Sequence, residues 1–296
     1  MELRRLERYR VTFRNAHATM SGIDVGTGPV TVLVHGLGTN ACLWSNLIAE
    51  LSTERRCIAI DLPAHGGSIP GPEQDLSLRG LADAVGWYCD ALGVDTFDLI
   101  GNDTGGAVAQ IFAAAHPERL RTLTLTNCEA GDNIPNPAFR DTVPLAKRGE
   151  LAPRLVAMYQ ALESLPPADR PLGGGYERPD LLPIDVLRAY VGPVAGSLET
   201  ARHFERIITR LDPADLSGSV PGLRKLSVPT FIVWGTNDPH YGVSWAYWLL
   251  DTIAGADEVV ELPGAKLFFP DERAAEFAGH LRRYWQTHDS DAPARI

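Results

Sequence analysis

The sequence predicts an α/β fold: a mostly parallel sheet with helices on both faces, interrupted by an inserted helical lid. Three observations carry this. Short apolar, β-branched runs alternate with segments that are apolar at helical spacing, and that alternation builds a parallel sheet. The stretch "FDLIGNDTGGAVAQIF", residues 97–112, passes from an apolar strand through a glycine-flanked aspartate, Asp103, into an Ala/Gly-rich amphipathic segment. From about Gly131 to Leu226 the chain is Pro-rich and irregular and lacks strand-like runs.

Taken in order, "YRVTFRN" and "ATMSGIDVG" read as two short strands joined by a turn. "PVTVLVHGLG" is a β-branched run closed by glycines, as suits a strand buried on both faces. "CLWSNLIAEL" reads as a helix and "RCIAIDLPAHGGS" as the next strand and its loop. "SLRGLADAVGWYCDALG" has helical spacing, a Ser cap and a closing glycine. The strand, turn and helix around Asp103 follow, then the strand "RLRTLTLTNCEAG". Within the irregular stretch, "APRLVAMYQAL" and "TARHFERIITRL" are helical patches. Alternation resumes with strand "VPTFIVWGTND", helix "SWAYWLLDTIAG", strand "DEVVELPG" and helix "RAAEFAGHLRRYW". The expected division is a core of residues 1–130 and 227–296, with 131–226 as a helical cap. The polar tail "THDSDAPARI" is expected to fray.

The totals narrow the function. At 296 residues, 45% hydrophobic and 22% charged, the composition is that of an ordinary globular protein. A formal charge of −10 argues against a nucleic-acid or anionic-membrane surface, which needs a basic patch. No apolar run approaches the ~20 residues that span a bilayer, and the charged N-terminus has no apolar signal core. Cys42, Cys57, Cys89 and Cys128 lack metal-type spacing and read as free buried thiols of a reducing compartment. A cytoplasmic location, a small-molecule substrate and no metal or organic cofactor are expected, with a homodimer left open.

The motifs "VLVHGLG", "AIDLPAHGGS", "LIGNDTGGAVAQ", "HPERLRTLTLTN" and "FIVWGTNDP" stand in an order and spacing that resemble the α/β-hydrolase fold. The resemblance runs over most of the chain outside residues 131–226. It implies that the turn at Asp103 is the nucleophile elbow, where most members carry serine. An aspartate there is similar to haloalkane dehalogenases and epoxide hydrolases, whose carboxylate attacks carbon to form an ester. The position suits an anion, because the free N–H groups and dipole of the helix starting near Thr104 stabilise negative charge. A helix-capping aspartate is the plainer alternative. The resemblance further implies an oxyanion hole from the N–H groups of Thr104 and Leu37, and Asp238 as the acid after the seventh strand. Glu129 is an alternative acid, with turn and functional roles weighted alike; for Asp238 the alternative is a turn residue before proline.

The family's histidine, in a loop after the last strand, falls here on Lys266 or Leu267 of "ELPGAKLFFPDERAAEF". Neither is an imidazole. Nor are the usual dehalogenase halide residues present, since Thr104 and Leu37 occupy their positions. "HGLG" departs from the epoxide hydrolase pattern, and its two lid tyrosines are not assignable among Tyr159, Tyr176 and Tyr190. Among the other histidines, His35, His65 and His116 read as structural, His17 lies among the first strands, and His203 in the cap reads as exposed or pocket-facing. His280 and His288 read as surface residues. His240, two residues beyond Asp238 and next to Tyr241, is the candidate for a relocated base. Trp44 reads as core, with a pocket-lining role as the alternative.

Losing general-base assistance slows water attack on an ester by on the order of 10²–10⁴-fold. The favoured expectation is therefore proton-transfer chemistry such as elimination, isomerisation, carbon–carbon cleavage or cyclisation of a lipophilic metabolite. Asp103 would be general acid or base, with Asp238 or His240 as partner. An Asp-nucleophile hydrolase using His240, and a non-catalytic binding protein, are the alternatives.

Overall fold

The computed structural model describes residues 3–15 and 18–288. Eight strands form one sheet: β1 (Arg10–Arg14), β2 (Thr19–Val25), β3 (Val30–Val34), β4 (Arg56–Asp61), β5 (Phe97–Asn102), β6 (Leu120–Thr126), β7 (Thr230–Gly235) and β8 (Ala256–Leu262). Their order is β1-β2-β4-β3-β5-β6-β7-β8. The first two strands run antiparallel to their neighbours, and the other six are mutually parallel. The α/β class expected from the alternation is the one observed.

Burial follows position in the sheet. β5 and β7 are buried at every residue, whereas the edge strands β1 and β8 alternate or lie half-exposed. This is why the central strands are continuous apolar runs and β1 can carry Arg10 and Arg14. The principal helices are α1 (Ser45–Leu51), α2 (Leu78–Ala91), α3 (Thr104–Ala115), α4 (Leu151–Gln160), α5 (Ile184–Ala195), α6 (Leu198–Arg210), α7 (Ser244–Thr252) and α8 (Ala274–His288). Ser77 Oγ accepts from Gly80 N–H at 3.2 Å to start α2, and Gly93, with φ 67°, follows its end. A reciprocal Ser197–Thr200 capping box starts α6.

Among the described residues the stretch between β6 and β7 contains helices and no strand. It meets the rest of the chain at defined points. Asn40 Nδ2 donates to the carbonyls of Ala189 (2.8 Å) and Tyr190 (3.2 Å), and Phe268 N–H donates to Gly175 O at 3.0 Å. No described helix is long and apolar enough to cross a membrane. His17 and most of the polar C-terminal tail lie outside the described residues.

Candidate active site

Asp103 sits between the carboxyl end of β5 and the first turn of α3, with φ 55° and ψ −137°. A non-glycine residue held there carries strain of about 1–3 kcal/mol, retained only where the surroundings enforce it. They do: Asp103 N–H donates to Asn127 O at 2.9 Å, and its own carbonyl accepts from Gly106 N–H at 2.8 Å. Two glycines make room. A Cβ on Gly105 would lie 2.2 Å from Val34 O, so α3 packs directly on β3 only because that atom is absent. A Cβ on Gly36 would lie 2.3 Å from the Asp103 Cβ, so the aspartate side chain rests on bare backbone.

Asp103 is 3% exposed. Tyr241 Oη donates to its Oδ1 at 2.6 Å, and Asn136 Nδ2 donates to Tyr241 Oη at 2.8 Å. Glu129 lies alongside, its Oε1 accepting from Thr104 Oγ1 at 3.0 Å. Its Oε2 is buried without a hydrogen-bond partner. Gln110 Nε2 donates to Glu129 O at 2.7 Å, tying the loop after β6 to α3. Asp238 completes the acidic group at the rim. Its Oδ2 accepts from Asn127 Nδ2 at 2.7 Å and its Oδ1 from His240 N–H at 2.8 Å.

No arginine or lysine forms an ion pair with these three carboxyls among the described residues. Burial, reinforced by the charge of Glu129, pushes the Asp103 carboxyl well above the ordinary carboxylate range. The bond from Tyr241 and the Thr104 amide pull it partway back. Burial likewise lifts Glu129 to about 7, against its own backbone amide and the hydroxyls of Tyr241 and Thr104. Asp238 is raised as well, mainly by burial and in spite of the His240 amide. The Tyr241 hydroxyl is raised well above its usual value by burial and then by Asp103 and Glu129. Carboxyls raised together in this way are the arrangement from which acid–base sites are built.

The structure brings Asp103, Thr104, Glu129 and Tyr241 together, with Asp238 and His240 next to them; among the described residues no histidine ring is hydrogen-bonded to Asp103. His240, the candidate base, is engaged through its backbone amide with Asp238, and its ring centroid lies 6.4 Å from that of Tyr241. The phenol of the following residue holds the contact with Asp103. A chain turning after Asp238 sends successive side chains in different directions, and here the second of the two points inward. His203 is half-buried on α6. His35 and His65 are buried and neutral, pushed by burial down to about 4 and about 3. Each serves the loops: His35 Nε2 accepts from Leu62 N–H (3.0 Å) and His65 Nε2 from Gly38 N–H (3.1 Å).

Where a histidine was expected after β8, Lys266 is half-buried and Leu267 is buried. That loop still reaches the turn: Asn102 Nδ2, one residue before Asp103, donates to Leu267 O at 3.0 Å. Leu37 is buried next to Gly36. Trp44 is fully buried, and its Nε1 has no hydrogen-bond partner. Sequence reasoning missed Asn136 and Asn127, which hold Tyr241 and Asp238. The signal for Asn127 was its place directly after a buried strand. Asn136 lies in a Pro-rich stretch without periodicity and gave none. Among the described residues no group of three or more His, Cys, Asp or Glu is arranged to hold a metal ion.

A family model described as "alpha/beta hydrolase fold" matches residues 29–147. The chain is 26% identical over 302 residues to an uncharacterized protein of Mycobacterium tuberculosis, covering 97% of this chain and 81% of that one. It is also 26% identical over 272 residues to haloalkane dehalogenase 2 of the same organism, covering 91% and 92%. Among solved structures, an alpha/beta hydrolase fold protein from Burkholderia ambifaria superposes with a TM-score of 0.78 at 22% identity, covering 92% of this chain and 96% of that one.

Proposed function

We propose that the chain is an α/β-hydrolase-fold enzyme that catalyses proton transfer on a small-to-medium lipophilic metabolite. Asp103 acts as general acid and base, and Tyr241 is its hydrogen-bonding partner. The single observation that carries this reading is the 2.6 Å bond from the Tyr241 phenol to Asp103, where a hydrolase would hold a base for water. A phenol raised well above its usual value keeps its proton at neutral pH, so Tyr241 serves Asp103 as a hydrogen-bond donor and not as a base. Glu129, with an unpartnered buried oxygen, is the second proton store.

In the first step Asp103 takes or gives the proton on substrate carbon or oxygen, and its charge is spread onto Tyr241 Oη, itself held by Asn136. The N–H groups of Leu37 and Thr104 face developing negative charge on the substrate; that of Thr104 is shared with the Asp103 carboxylate. Elimination, isomerisation, carbon–carbon cleavage and cyclisation all need this and no water nucleophile. Because Asp103 is nearly covered, the substrate enters as the helical 131–226 segment, read as a lid, moves aside. Turnover in D2O tests the proposal: deuterium appears at carbon in product or recovered substrate, and Asp103→Asn abolishes it. Solvent oxygen entering the product from heavy-oxygen water overturns it.

A second reading is favoured by the similarity to haloalkane dehalogenase 2, which extends over nine-tenths of both chains. Asp103 would then attack a carbon–halogen or epoxide carbon as nucleophile. With a phenol in place of a base, the ester would persist, and intact-mass measurement after incubation with haloalkanes or epoxides would detect a stoichiometric adduct.

A further inference from the structure

Another buried carboxyl, apart from the Asp103 group, lines a separate cavity. Asp271 is buried at the start of the chain's last helical stretch. Its Oδ2 accepts from Tyr176 Oη (3.0 Å) and Tyr190 Oη (3.2 Å), and its Oδ1 from Asn46 Nδ2 (2.8 Å). The tyrosines come from the stretch between β6 and β7, and Asn46 from α1. Above them opens a cavity of about 500 Å³, within the range of small-ligand sites. None of the residues bonded to Asp103 lines it.

The chemistry of the lining selects the occupant. Leu181, Leu182, Pro183 and Val186 give one apolar wall, and Leu181 is 65% exposed with no core to cover it. Two arginines also line the cavity, but their charges are already matched. Arg178 pairs with Asp180 through two bonds of 3.0 and 2.8 Å, and Arg273 with Glu177 through two of 2.7 Å. Glu272 is occupied by the Glu177 and Arg178 amides. Among the described residues no cation forms an ion pair with Asp271. Burial lifts its carboxyl to about 6, with Tyr176 and Tyr190 pulling the other way, so it is largely ionised at neutral pH. A buried anion held only by neutral donors lacks the opposite charge that would compensate its desolvation.

We propose that this cavity is a binding site for an organic ammonium ion with a compact apolar body. The ammonium sits against Asp271 and the oxygens of Tyr176 and Tyr190, which retain acceptor capacity while donating to the carboxylate. The body lies along the Leu181–Val186 wall and the tyrosine ring faces, where a cation also gains from the aromatic quadrupole. An anionic ligand meets Asp271, Glu177 and Glu272 with no arginine to spare.

Calorimetric titration with phenethylamine, 2-phenylethanol and phenylacetate at neutral pH tests this. Phenethylammonium is expected to bind one per chain, at least roughly tenfold more tightly than the alcohol, with phenylacetate not binding. Asp271→Asn is expected to remove that preference. Val186→Trp, which fills the cavity without touching the hydrogen bonds, is expected to weaken binding by at least about tenfold even where Asp271→Asn fails to fold. Asp103→Asn is expected to leave binding unchanged, which separates this site from the proposed reaction centre. Equal affinity for amine and alcohol, preference for phenylacetate, no binding of the amine, or full affinity in Val186→Trp overturns the proposal.

Discussion

Replacing Tyr241 by Phe deletes the hydroxyl that donates to Asp103 and leaves the rest of the ring in place. The aspartate then loses the largest influence that lowers its pKa, while burial and Glu129 still raise it. Turnover is expected to fall on the order of 10²-fold, with the alkaline limb of its pH profile moved upward, as measured by solvent-deuterium exchange across pH. Glu129 gives a prediction about stability. Its folded value, about 7, lies above the ordinary glutamate value of 4.5, so the folded state holds the proton more tightly. Its contribution to stability is therefore complete below about pH 4.5 and is lost as pH rises through about 7. Relative to Glu129→Gln, the wild type is expected to lose up to about 3 kcal/mol between pH 5 and pH 8, read by urea unfolding at both. Asp103 itself was legible in the sequence, since a carboxylate between glycines after a buried strand has few structural uses. Its partner was not legible. Which of His240 and Tyr241 turns inward depends on the loop's path, and no periodicity encodes that.

At the scale of elements, the turn between β5 and α3 works only because backbone approaches backbone. Gly36→Ala places a methyl 2.3 Å from the Asp103 Cβ, which is fixed to the strained turn and cannot swing away. The expected result is about 1–3 kcal/mol of destabilisation or more, together with lost turnover, measured by thermal unfolding and the exchange assay. Gly279, on the exposed face of α8, has nothing within 4 Å of an added Cβ. Gly279→Ala is expected to stabilise by about 0.5–1 kcal/mol with activity intact, which separates a glycine kept for space from one tolerated by default. Strands and helices were readable because their apolar period is set by burial: β5 and β7 are buried throughout and read as unbroken apolar runs. The 131–226 segment gave only local helical patches. Its docking rests on scattered contacts such as Asn40 to the α5 carbonyls, Tyr176 and Tyr190 to Asp271, and Phe268 to Gly175, which leave no periodic trace.

Across the whole molecule, β5 carries a buried aspartate near each end, and the two are treated in opposite ways. Asp98, at the amino end, is neutralised by Arg55 and Arg121, each at 2.6 Å, and accepts from Thr122 Oγ1 at 2.9 Å. Asp103, beyond the carboxyl end, has a phenol, an amide and two further carboxyls. One end carries a charge-paired carboxylate, and the other a carboxyl that burial pushes upward and that, among the described residues, has no cation paired to it. Asp98→Ala leaves two arginine charges near the sheet without their anion and is expected to destabilise by about 3–5 kcal/mol. Asp103→Asn is expected to be neutral or stabilising in the same denaturant titration. That Asp103 keeps its proton above the ordinary carboxylate range is tested most directly, and without any substrate, by difference infrared spectroscopy of wild type against Asp103→Asn across pH. The expected result is a protonated carboxylic acid band, missing from the variant, that persists in the wild type at pH values above the ordinary carboxylate range. A difference spectrum showing only an ionised carboxylate at that position would contradict it.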